Sequence, residues 1–234
     1  MQIQRFSLLE SLHKVSGTTI VIDVFRAFTC EPLIYHYGAR MIILEPDIEK
    51  CKSIRGNAIL IGEHNEYPIE TFDLTNSPFL IMAKGHEYFE GRDVIHRTTS
   101  GVTGAVATLG QSDEVLLASF VNACATAQYI LKRHPSVVSI LAMGERSVQK
   151  APEDEFCGDY IESLLTGKPY NHIQAMNEIL ASETAQKFLR GDKPYLPKED
   201  PSICIQRDLF NFALRAQCEG EFIVARKVFP NAPQ

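Results

Sequence analysis

Two hydrophobic periods alternate along this 234-residue chain. Unbroken apolar runs rich in β-branched residues mark buried strands, and spacing near 3.6 closed by Gly or Pro marks helices. The first run covers residues 18–25 and predicts a buried strand with Asp23 near its carboxyl end and Arg26 just beyond it. A helix is predicted from Ala27 to Tyr37, stopped by Gly38. Strands over 40–45 and 57–63 flank a helix over 47–55 with an acidic first turn. The order β-α-β-α-β predicts parallel strands joined by right-handed crossovers.

Residues 64–77 are polar, contain Pro68, and read as a long loop of the kind that carries function. Strands over 93–99, 114–120 and 137–143 then alternate with helices over 101–109, 123–133 and 153–165. After Pro169 the pattern changes. Residues 171–190 read as helical, Gly191-Asp192-Lys193-Pro194 as a break, 200–218 as a last helix and 221–228 as a final strand. No repeat or linker divides the chain, so residues 1–234 are expected to form one α/β domain, with 170–234 as its C-terminal helical extension and final strand.

Composition narrows the function. A net charge of −6 argues against nucleic acid, and any anionic ligand must be drawn by a local cluster or a metal. No apolar run is long enough for a membrane span and the N-terminus lacks a secretory pattern, so a cytoplasmic protein is expected. The six cysteines show no C-x-x-C spacing, and most of them read as buried apolar residues.

In open α/β sheets, ligands sit beyond the carboxyl ends of the strands. The strand ends deliver Asp23 and Arg26, then Glu63, then Thr98-Thr99-Ser100-Gly101, then Ser119 and Asn122, then Gly144 and Glu145, with Glu153 and Asp154 following. Several carboxylates, one guanidinium and many short hydrogen-bonding groups suit Mg²⁺ and a phosphorylated substrate. The turn before the 101–109 helix would offer amides to an anion. Plainer roles stand beside these. Arg26 could pair with Asp23, Thr98-Thr99-Ser100 could only cap a helix, and Glu153 and Asp154 could only favour a helix N-terminus. Cys30 and Cys124 are the alternative nucleophiles.

These blocks resemble the 2-phosphosulfolactate phosphatase family. The resemblance rests on Val21-Ile22-Asp23-Val24-Phe25-Arg26-Ala27, Gly62-Glu63, Phe72-Asp73-Leu74-Thr75-Asn76-Ser77-Pro78, Thr98-Thr99-Ser100-Gly101, Ser119-Phe120-Val121-Asn122-Ala123, and Glu153-Asp154 with Cys157-Gly158. It implies a three-layer α/β/α sandwich around a mixed, largely parallel sheet. It also implies Mg²⁺-dependent hydrolysis of 2-phosphosulfolactate to 3-sulfolactate and phosphate, on the way to coenzyme M. Asp23, Glu63, Glu153 and Asp154 are then the expected metal ligands. Asp23, Arg26, Glu153 and Asp154 are the expected catalytic groups, with Asp23 as nucleophile or as metal ligand. Arg26, Asn76, Ser77, Thr98, Thr99, Ser100, Gly101 and Asn122 are the expected substrate contacts. Phe28, Thr75, Ser100 and Val102 depart from the family pattern, which bears on the substrate more than on the reaction. The expected partners are a small anionic phosphorylated substrate and a second copy in a homodimer, with neither nucleic acid nor membrane. The alternative is a module on the same fold that binds an anionic metabolite without turning it over.

Overall fold

One ten-stranded sheet organises the described residues, 1–230, of the computed structural model. Its strands in chain order are β1 (Gln2–Ser7), β2 (Thr18–Ile22), β3 (Met41–Leu44), β4 (Ile59–His64), β5 (Tyr67–Pro68), β6 (Asp93–Arg97), β7 (Glu114–Ala118), β8 (Val137–Ala142), β9 (Ala213–Glu219) and β10 (Phe222–Val228). The helices are α1 (Ala27–His36), α2 (Ile48–Ser53), α3 (Pro78–Phe89), α4 (Gly101–Thr108), α5 (Ala123–Arg133), α6 (Pro152–Thr166), α7 (His172–Ala181), α8 (Glu183–Leu189) and α9 (Asp200–Cys204).

The order across the sheet is β1-β8-β2-β7-β9-β10-β3-β6-β4-β5. Strands β1, β8, β2 and β7 are mutually parallel, and so are β3, β6 and β4. The β9–β10 hairpin lies between these halves and pairs antiparallel with β7 on one side and β3 on the other. Three antiparallel steps therefore reverse the strand direction from one half to the other. The unit β2-α1-β3 crosses between halves, where the sequence pattern had predicted parallel partners. Twist offsets most of the reversal. At roughly 20–25° per step, the six steps from β2 to β4 rotate the strand axis by roughly 120–150°. The carboxyl ends of the two halves can thus converge on one place.

Each strand feeds both faces, as its two-residue period requires. Val21, Ile42, Ile61 and Leu117 pack with α1, α3 and α4 on one face. On the other face Ile20, Ile22, Leu116 and Ile140 meet Ile130 of α5 and Ile161 of α6, while Ile43, Leu60 and Ile95 meet Cys51 of α2. Helices on both sides of a mixed sheet make the three layers expected.

Three departures have local causes. The helix read over 200–218 is the short α9 followed by β9. Ala213, Leu214 and Ala216 are buried in the sheet cores, so position between β7 and β10 overrides the helical propensity of that stretch. The helix read over 171–190 is α7 and α8, divided at Ser182, whose side chain accepts from Ala185 N. Helix α3 was not read. Ser77 caps it through Leu80 N, Pro78 occupies the first turn, and Gly85 (φ 64°) kinks it.

Candidate active site

Asp23 leaves the end of β2 and turns into a cleft with about 570 Å³ of free space, its open mouth included. Its Oδ1 accepts from Ala27 N at 3.0 Å, and the Gly101 amide donates to the same carboxylate. Glycine is required at 101, because a Cβ there would lie 2.6 Å from Asp23 Oδ2 and 2.7 Å from the Ala27 Cβ. This contact joins the carboxyl end of β2 to the turn after β6.

Arg26 is buried and does not pair with Asp23. Its Nη1 donates to Asp200 Oδ2 at 2.8 Å, and the guanidinium lies 5.3 Å from the Phe188 ring centroid. Asp200 Oδ1 in turn accepts from Ser77 Oγ at 2.8 Å and Phe79 N at 3.0 Å. Burial pushes the Asp200 carboxyl up while Arg26 pulls it down.

Glu63, in β4, is held from all sides. Thr99 N donates to Oε1 at 2.6 Å, and Oε2 accepts from Glu66 N at 2.6 Å and Thr99 Oγ1 at 3.1 Å. Asp154, in the first turn of α6, accepts from Val24 N at 2.7 Å and Gly144 N at 2.8 Å, so it clasps the ends of β2 and β8. Glu153 Oε2 accepts from Thr184 Oγ1 of α8 at 2.9 Å.

Asp23, Arg26, Glu63, Asn76, Thr99, Ser100, Glu153 and Asp154 all line the one cleft. Ser77, Thr98, Gly101 and Asn122 stand behind it. Thr98 Oγ1 accepts from Val102 N at 2.9 Å, and Asn122 forms a capping box with Ser119. In the turn before α4, Thr99 N goes to Glu63, Gly101 N to Asp23 and Val102 N to Thr98.

Sequence reasoning missed residues from the C-terminal extension and the β4–β5 turn. Lys187 of α8 bonds to Glu66 and lies 3.0 Å from Glu145 Oε1. Arg146 Nη2 lies 3.3 Å from Glu66 Oε2, and Phe25, Phe188 and Leu196 form an apolar wall. Asp200, between Pro197 and Pro201, looks in the sequence like a helix-start acid, and nothing local ties it to Arg26.

Six carboxyl groups line the cleft against three cations, Arg26, Arg146 and Lys187. The imbalance appears in the acids. Burial, then the charge of Glu63, pushes Asp23 up to about 6 against the pull of its amide donors. Burial pushes Glu153 up to about 7. Asp154 is raised well above the usual range by burial, then by Asp23 and Glu153. Among the described residues no group of three or more His, Cys, Asp or Glu side chains forms a ready metal cage. The donor chemistry still suits a hard cation, because three buried carboxylates that repel one another are relieved by a divalent charge. Cys30 and Cys124 line no part of this cleft, and burial pushes both thiols up, away from thiolate chemistry. No helix among the described residues is long and apolar enough to cross a membrane.

A family model described as 2-phosphosulpholactate phosphatase matches residues 6–214. Proteins named probable 2-phosphosulfolactate phosphatase are among the relatives. The one from Bacillus subtilis is 28% identical over 215 residues, covering 89% of this chain and 91% of its own. The one from Caldicellulosiruptor saccharolyticus is 32% identical over 230 residues, with 89% and 91% covered. The one from Clostridium perfringens strain SM101 is 32% identical over 190 residues, with 75% and 74% covered. Spanning β2 to β8 and every residue that lines the cleft, this match makes the chain a member of the 2-phosphosulpholactate phosphatase family, a family of phosphoric monoester hydrolases.

Proposed function

We propose that this protein is a Mg²⁺-dependent phosphatase that hydrolyses 2-phosphosulfolactate to 3-sulfolactate and phosphate. The observation that carries the reading is the charge balance of the cleft, six carboxyls against three cations. An anionic substrate would be repelled from such a site unless a cation came with it. Asp23, Glu153 and Asp154 would hold that cation, with Glu63 nearby. When bound, Mg²⁺ supplies positive charge to the non-bridging phosphoryl oxygens as the P–O bond weakens.

The remaining work falls to the chain itself. Asp200 occupies one Nη of Arg26, which aims the rest of the guanidinium fork at phosphoryl oxygens. Lys187 and Arg146 face acid groups on the rest of the substrate, exchanging Glu66 and Glu145 for a carboxylate or sulfonate. Phe25, Phe188 and Leu196 keep one wall dry, which strengthens each charge interaction beside it.

Phosphate release from a panel of 2-phospho-hydroxy acids, with Mg²⁺ or with EDTA, tests this. Release is expected with Mg²⁺ only, fastest for the sulfonated acid. Thermal stabilisation by the same compounds with no release in either condition would replace the enzyme by a binding module.

A further inference from the structure

Behind the wall of the cleft, three polar side chains form a hydrogen-bonded chain through the core. His96 of β6 lies between Glu31 of α1 and Asn76, at the approach to α3. Its Nδ1 is 3.0 Å from Glu31 Oε1, and its Nε2 is 2.9 Å from Asn76 Oδ1. The side chains of Glu31 and His96 are fully buried, while Asn76 reaches the cleft. In the sheet register His96 stands beside Leu44 of β3 and Ile61 of β4, so the local layer is apolar. An apolar residue would suit that layer as well for stability alone. The polar pair therefore calls for another role.

The protons follow from burial. Glu31 Oε2 is buried with no hydrogen-bond partner. A bare carboxylate oxygen in the core is far less favourable than the carbonyl oxygen of a neutral carboxyl. Burial also raises the Glu31 carboxyl above its ordinary range, against the pull of His96. In the neutral arrangement Glu31 donates its proton to Nδ1, and His96 keeps its own proton on Nε2. Should the shared proton move onto the imidazole, Nε2 remains a donor. In both cases Asn76 must answer with its carbonyl oxygen, which turns its NH₂ group to the cleft side.

We propose that Glu31 and His96 are positioning residues that hold the Asn76 carboxamide with its NH₂ toward the cleft, as a fixed donor to an oxygen of the anionic substrate. The substrate half of this proposal rests on the reading of the cleft as an oxyanion site. The side-chain orientation does not.

Imidazole ¹⁵N NMR of the whole protein reads the orientation without any ligand. A protonated Nε2 on His96 is expected, and an unprotonated Nε2 overturns the proposal. Binding of orthophosphate with Mg²⁺, and KM against kcat, read the consequence. Asn76→Asp puts an acceptor where the donor stands and should weaken phosphate binding and raise KM by roughly 10–100-fold. His96→Phe should do the same by freeing the amide. Glu31→Gln retains a neutral donor toward Nδ1 and should stay within about threefold of the wild type. Melting temperatures identify any variant that has simply unfolded. Wild-type-like binding by folded Asn76→Asp overturns the proposal, as does a folded Glu31→Gln as impaired as His96→Phe. A wild type that binds orthophosphate but releases none from any substrate would sink the phosphatase reading and leave this one standing.

Discussion

The two parallel halves of the sheet bring different chemistry to one cleft. The half built on β1, β8, β2 and β7 is covered on both faces, with α5 and α6 on the side away from α1. It delivers Asp23, and through α6 Glu153 and Asp154, all buried and all pushed toward the protonated form. Among the described residues, the half built on β3, β6 and β4 carries the short α2 on its outer face, over a much smaller core. It delivers Glu63, Thr99 and His96, whose polar atoms are tied to neighbours. One half supplies carboxyls pushed toward the protonated form, and the other supplies a carboxylate, a hydroxyl and an imidazole held in place by hydrogen bonds.

The sharpest break of this contrast is Asp23→Asn. It removes charge from the first half alone and should lower phosphate release by about 10³-fold or more, with the fold retained by circular dichroism. An equal loss from Glu63→Gln under the same assay would erase the distinction between the halves.

Stability against pH sharpens it further. Asp23 and Glu153 have folded-state pKa values raised to about 6 and about 7. Between the ordinary carboxyl range and those values, the folded state binds more protons than the unfolded chain, so unfolding free energy falls as pH rises. Each group removes about 3 kcal/mol once its folded pKa is passed. In EDTA the melting temperature should therefore drop from pH 4.5 to pH 8, and Mg²⁺ should restore more at pH 8 than at pH 5. A Mg²⁺ effect of the same size at both values would show that these carboxyls do not meet the cation.

The smallest effect concerns the outer cores. Ile161→Ala, in the fully buried layer under α6, should destabilise by about 3 kcal/mol in urea unfolding. Ile54→Ala, at the half-buried end of α2, should cost about 1 kcal/mol. Equal values would mean that both halves are held alike.

Much of the molecule is legible along the chain because its signals are local. The strand read over 18–25 forms as Thr18–Ile22, and the helix read over 47–55 forms as Ile48–Ser53, with Asp47, read as part of its acidic first turn, standing one place earlier as its cap and accepting from Lys50 N at 2.7 Å. The order of strand ends assembles Asp23, Glu63, Thr99 and Asp154 as candidates. The strand state of β9 is not legible, since Ala213 to Glu219 favours a helix until β7 and β10 flank it. The opposed directions of the two halves are equally hidden, because they depend on where that hairpin inserts.

The chain by itself determined the alternation of elements and the polar groups carried at the strand ends, since hydrophobic period and capping act over a few residues. The tertiary structure alone decided that Arg26 answers to Asp200, 174 positions away, and that Lys187 bonds to Glu66, 121 positions away. It also decided that Asn76 is backed by His96 and Glu31. Those pairings arise from sheet twist and core burial, which no local stretch of residues encodes.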